Sequence, residues 1–193
     1  MRSSRDDVEK HRKEIVEAAA RLFRERGVDG VSVPALMQAV GMTHGGFYKH
    51  FASKDALVAV AWQTAFDQIV ARLSAAIPRD CDKAAGWEKL VNGYLSPAHR
   101  DDIGAGCAAA AFAGDAARLA PDSPARATYD AGIDRMLKTV STLRPQASRA
   151  ENLAALSTLI GALLLSRASD GALSDELLAA ARAALPNPDL AKA

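Results

Sequence analysis

The stretch Ser32–Lys54, SVPALMQAVGMTHGGFYKHFASK, admits few folds. Ser32 is a helix N-cap, since its hydroxyl can accept an unpaired amide proton of a first turn. Pro34 fits that turn, where a missing donor is harmless. Ala35, Leu36, Ala39 and Val40 recur at helical spacing, and Gly41 supplies the left-handed residue that ends a helix. Met42 plugs the turn. Thr43 is placed to cap a second, short helix over His44–Phe51. Phe47 and Phe51 face inward on it, leaving His44, Gly45, Tyr48 and Lys49 outward. Ser53 then caps a third helix.

A helix of about two turns that shows small, polar and basic groups outward is a poor core element. It suits a DNA reader, because the major groove admits one helix whose first residues meet base edges. His44, Gly45 and Lys49 are the candidates for base contacts. Ser32 with the Val33 amide, Thr43, Tyr48 and Lys54 are the candidates for phosphate, which positions a protein without reading sequence. Thr43 sits where a helix dipole favours an anion. Plain capping also accounts for Ser32 and Thr43, and a solvated surface position also accounts for Lys54. Gly45 and Gly46 each weaken a helix by roughly 1 kcal/mol relative to alanine. Close approach of backbone to groove explains that cost; a loosely formed helix with no reading role is the plainer explanation.

Three segments now stand together: IVEAAARLFRERG (15–27), VSVPALMQAVGMTHGGFYKHF (31–51) and SKDAL (53–57). Through them, residues 12–62 resemble the DNA-binding domain of the TetR family of bacterial transcriptional regulators. The resemblance implies an all-α fold of about nine helices. A three-helix DNA-binding domain would span 8–54, with its helix-turn-helix motif at about 32–51. A helical effector-binding and dimerisation domain would span 55–190. Tyr48 takes the place of the family's phosphate-binding tyrosine and Lys54 that of its lysine at the start of helix four. His50 matches a His-Phe pair that packs within the domain. The implied partners are double-stranded operator DNA, a small-molecule effector, and a second copy of the chain through about 147–185. The implied role is a ligand-responsive repressor. A helix-turn-helix protein that acts through a protein partner, without an effector, is the alternative.

The rest of the chain agrees with a helical plan. It has 193 residues, 49% hydrophobic, with only 5% aromatics, much alanine and no alternating strand pattern. The net charge of +1 alone argues against a nucleic-acid binder, but its distribution does not. Residues 1–54 carry ten Lys/Arg against seven Asp/Glu, and the remainder carries fourteen against sixteen. No apolar run is long enough for a membrane span, and MRSSRDDVEKHRKE has no apolar core of a secretory signal. A cytoplasmic, reduced protein is expected. Cys81 and Cys107 lack metal-ligand spacing, and the four histidines are scattered. No nucleophile elbow or phosphate loop appears, so no enzyme, metal or cofactor is expected.

In order, the periodicity predicts a terminal arm (Met1–Asp7) and then a helix over 8–26. Arg2 and Arg5 in the arm are either minor-groove contacts or solvated. Arg24 and Arg26 in that helix's last turn suit the negative end of its dipole. A long helix over 53–77 follows, able to link two domains, then helices over 83–95, 106–119, 124–143, 147–168 and 174–185. A loop is expected at 96–105. Leu153, Leu156, Leu159, Ile160, Leu163, Leu164 and Leu165 make the helix after Ala147 apolar on more than one face, as a buried helix or a subunit interface would be. Candidate effector-lining residues are Trp62, Phe66, Trp87, Tyr94, Cys107, Phe112, Tyr129 and Met136. The same spacing also fits a plain core. The absence of strong charge within these helices suggests an uncharged, apolar effector. Cys107 at a helix start, where the dipole lowers a thiol pKa, is either a sensor thiol or an inert buried one.

Overall fold

A computed structural model describes residues 5–75, 77 and 82–185. Arg2 and Cys81 lie outside these residues, as do Pro78, Pro186 and Pro188, which the sequence predicts as helix stops. Among the described residues there are nine α-helices, one 3-10 helix and no strand.

Helix α1 is Arg5–Arg26. It begins earlier than the sequence suggests, so Arg5 belongs to the helix rather than to an arm. Asp6 and Asp7 in the first turn favour that start through the helix dipole. Ile15, Val16, Ala19, Leu22 and Phe23 form its buried stripe. Helix α2 is Val33–Ala39, with the Ser32 hydroxyl accepting from the Ala35 amide at 3.2 Å. Leu36 and Met37 are its buried residues, whereas Ala39 is exposed.

The expected α-helix over 44–51 is instead a 3-10 helix, His44–Lys49. Its amide bonds run three residues back: Gly46 to the Thr43 carbonyl and His50 to the Phe47 carbonyl, both at 2.9 Å. Two adjacent glycines in a segment this short give too little local stability for a full α-helix. Thr43 holds the N-cap position, but its side chain makes no capping bond.

Helix α3, Lys54–Ser74, is capped by Ser53, whose hydroxyl accepts from the Ala56 amide at 3.1 Å. It spans roughly 30 Å. It packs on α1 and, along much of its length, on α7, Pro124–Leu143. Gly132 makes the second contact close: a methyl there would run into the Phe66 ring. Helices α4 (Lys83–Tyr94) and α6 (Ala108–Arg118) complete the core around α3 and α7.

The expected loop at 96–105 contains a short helix, α5, Pro97–Asp101. Ser96 caps it through the His99 amide at 3.2 Å, and Pro97 occupies its first position. Helix α8, Arg149–Arg167, opens on a full capping box between Ser148 and Glu151. Helix α9, Gly171–Ala184, packs on it. The two-faced apolarity of α8 divides cleanly. Leu156, Leu159 and Leu163 are buried in the core, while Leu153, Leu164 and Leu165 are exposed, as is Leu173 of α9. Among the described residues no helix is long and apolar enough to cross a membrane.

Candidate nucleic-acid interface

The 3-10 helix is a thin element clamped from behind. Phe47 and Phe51 are buried, with their rings 5.7 Å apart. Arg12 of α1 lies over the Phe51 ring at 4.8 Å, and His11 meets His50 edge-on at 6.3 Å. Met37 of α2 closes the space under Gly46. With its inner side fixed in this way, the outer side is presented rigidly. His44, Gly45, Tyr48 and Lys49 are all exposed, Tyr48 by 61%. The His44 and Tyr48 rings meet edge to face at 5.8 Å. A Cβ on Gly45 would touch nothing, so its backbone is open to close approach. Gly41, with φ +70, makes the turn between α2 and this element.

The phosphate candidates fall around the same edge. Ser32 and Thr43 are exposed at the starts of α2 and the 3-10 helix. Val33 is half-buried in the first turn of α2. Lys54 is half-buried, and its Nζ donates to the Val28 carbonyl at 2.6 Å. It thereby ties the start of α3 to the α1–α2 connection, with two further ammonium protons left to donate. His50 packs inward, and burial together with His11, Arg12 and Lys49 lowers its pKa from the usual 6.5.

The effector candidates are less united. Trp62 stacks on Phe112 at 4.8 Å, and Tyr129 meets Trp62 and Phe66 edge-on. The Tyr129 hydroxyl donates to the Ala109 carbonyl at 3.0 Å. Trp87 and Met136 are buried too. These side chains fill the core. Of the eight, Tyr94 lines a cavity of about 460 Å³ between α3, α4 and α5, and Trp62 lines a cleft of about 740 Å³ between the α1–α2 connection and α6–α7.

Cys107 is a buried thiol, one of the two readings given above. It precedes α6, but burial raises its thiol pKa, outweighing the opposing bonds from the Tyr94 hydroxyl and the Ala110 and Ala109 amides. The Tyr94 hydroxyl lies 2.9 Å from its sulfur. Desolvation wins over the helix start because no water reaches this sulfur to share the charge.

Sequence reasoning missed the junction around α5. Arg24, taken above as a dipole residue, is buried and reaches away from its own helix end. Its guanidinium donates to the Gly104 carbonyl at 2.6 Å and to Gln68 of α3 at 2.7 Å. Burial and the neighbouring Arg72 lower its pKa to about 10. From the other side, Arg167 of α8 donates to the carbonyls of His99 and Arg100, both at 2.9 Å. Arg100 itself pairs with Asp175 of α9 at 2.6 Å. The only signal in the sequence was Ser96-Pro97, a cap followed by a first-turn proline.

Comparison with known proteins agrees with this architecture. Residues 15–61 match the family model of bacterial regulatory proteins, tetR family. The HTH-type transcriptional repressor Rv1474c of Mycobacterium tuberculosis is 43% identical over 54 residues, which are 28% of this chain and 29% of that protein. The match to that curated relative therefore spans under a third of its length. Among solved structures, a TetR transcriptional regulator from Chloroflexus aurantiacus is 24% identical with a TM-score of 0.78, covering 93% of this chain and 94% of that one. AibR, solved in complex with isovaleryl coenzyme A and operator DNA, is 20% identical with a TM-score of 0.66, covering 92% and 98%. At such identities the structural likeness concerns the fold. The chain thus carries, at residues 15–61, the DNA-binding domain of the tetR family of bacterial regulatory proteins, set in the all-helical fold of that family's solved members.

Proposed function

We propose that this protein is a transcriptional regulator that binds a palindromic operator as a homodimer and releases it in response to a small molecule. The observation that carries the reading is the exposed edge His44–Lys49, buttressed by Phe47 and Phe51 and bearing polar and basic groups with an open glycine. Base contacts fall to His44, Gly45 and Lys49. Phosphate contacts fall to Ser32, the Val33 amide, Thr43, Tyr48 and Lys54. Residues 8–54 form the DNA-binding unit and 55–190 the effector and dimer unit, with α3 crossing from one to the other. The bare leucines of α8 and α9 supply the dimer face, which sets two reading edges at a fixed spacing, about one helical turn of DNA apart. A reader of bacterial operators works in the cytoplasm.

The response follows from the contacts of α3 and Arg24. A ligand that binds one arrangement of α3, α4 and α5 more tightly than another shifts the spacing of the two edges. AibR, of the same fold, was solved with both an acyl-coenzyme A and operator DNA, which supports a two-ligand reading here. Selection of genomic fragments by the purified protein tests the proposal. One enriched palindrome is the expected result, and binding with no sequence preference would reject it in favour of a partner-dependent module.

A further inference from the structure

The cavity between α3, α4 and α5 has a charged mouth and an apolar wall. Ile69 and Leu73 of α3 and Leu90 of α4 form the wall. Arg72 and Lys89 stand at its exposed border. Neither has a hydrogen-bond or ion-pair partner among the described residues, whereas most other arginines of this half are engaged. Asp102 is the single acid of the lining among the described residues, and one of its carboxylate oxygens already accepts from the Ala105 amide at 3.1 Å. His99 is buried in the floor. Its Nδ1 lies 2.7 Å from the Tyr94 carbonyl, which can only accept, so Nδ1 donates. Its Nε2 is buried with no hydrogen-bond partner among the described residues.

We propose that this cavity binds a small organic carboxylate, with its charge held between Arg72 and Lys89 and its apolar body against Ile69, Leu73 and Leu90. The proposal rests on the reading above that the chain is ligand-responsive, and it replaces the uncharged effector expected from the sequence. Its volume, about 460 Å³, is that of a site for a single small molecule. The field at the mouth is positive on balance, with Asp102 opposing it in part. Arg72 lowers the pKa of both Arg24 and His99, after burial, and an anion beside it would relieve that repulsion.

The location gives the ligand leverage. Ser96, Ala98, His99 and Asp102 of the lining belong to α5 and its flanks. The same segment ends at Gly104, whose carbonyl Arg24 of the DNA-binding unit grips, and is held from α8 by Arg167. A ligand seated in the cavity therefore lies against a segment bonded both to the reading unit and to α8.

Isothermal titration of the purified full chain with octanoate and 4-phenylbutanoate tests the proposal, with octanol, octylamine and acetate as comparison probes. The two carboxylates should bind with one site per protomer. The neutral and cationic analogues should bind at least about tenfold more weakly, the loss expected for a charge-assisted contact. Acetate, lacking an apolar body, should show no saturable binding. The double variant Arg72→Gln/Lys89→Gln should remove the preference for carboxylate over alcohol, while Lys138→Gln, on the exposed side of α7, should leave it unchanged. Both cations are exposed and unpartnered, so the variant should retain its circular dichroism spectrum. Equal affinity for octanol, unchanged carboxylate affinity in the double variant, or no binding of either carboxylate would each overturn the proposal. Titration needs no DNA, so a failure to select an operator would reject the regulator reading while leaving this result intact.

Discussion

Arg24 shows how far a single side chain can depart from its local context. Its place in the last turn of α1 satisfies a helix dipole, yet its guanidinium is spent on Gly104, eighty residues onward, and on Gln68. Arg24→Ala would remove the donor to that part-buried carbonyl and should lower the unfolding free energy by about 1–3 kcal/mol, as read by urea denaturation. A loss no larger than that of an exposed arginine would show that the contact is idle. The histidines give a second residue-scale prediction. Burial, partly opposed for His99 by the Tyr94 carbonyl, lowers the pKa of His99 and His50 below the ordinary 6.5. As pH falls through that ordinary value the unfolded chain takes up protons first, so stability is greatest above it and declines toward the folded values. The urea midpoint should therefore fall between about pH 7.5 and 5.5, above the range where carboxylates titrate. His99→Gln should shrink the fall, and a midpoint that rises on acidification would contradict the assignment. Neither Arg24 nor His99 was legible from the sequence, because each is defined by partners brought in by the fold rather than by its neighbours in the chain.

At the scale of elements, legibility tracks local physics. The long helices α3 and α7 were readable to within a few residues, since their start signals and apolar periods are local: the Ser53 cap before α3, the first-turn Pro124 of α7. The segment 44–49 was readable as exposed outside and aromatic inside, but not as a 3-10 helix. The paired glycines Gly45 and Gly46 weaken an α-helix there, and the packing of Met37 against Gly46 and of Arg12 over Phe51 belongs to the fold rather than to local sequence. Helix α5 is short enough that its tertiary bonds, rather than its propensity, decide it. The division of labour along 44–49 is testable. Phe47→Ala should cost about 3–5 kcal/mol of stability, as an emptied core site does. Tyr48→Ala, with its ring mostly in solvent, should leave stability within about 0.5 kcal/mol and weaken DNA binding. Paired urea melts and DNA titrations separate the two, and equal destabilisation by both would place Tyr48 in the core.

At the scale of the molecule, one chain carries two unfinished surfaces: the polar edge of 44–49 and the leucines of α8 and α9. Sequence periodicity showed that α8 has apolar residues on more than one side, but only the packed fold shows which side is left bare. Leu164→Glu/Leu165→Glu places two charges on that side and should convert a dimer to a monomer in light scattering at micromolar concentration, with helicity retained. A variant that stays dimeric would move the interface elsewhere. On the proposed function the two surfaces depend on each other, since a single short reading edge would gain affinity and selectivity from a partner at fixed spacing.

Recovery and sequencing of genomic DNA fragments bound by the purified protein, beside the His44→Ala/Tyr48→Ala variant, is the most direct measurement. The expected result is one palindromic sequence enriched by the parent protein and lost in the folded, dimeric variant. Enrichment that survives in the variant, or none at low salt from a folded dimer, would contradict the assignment of 44–49 as the reading edge.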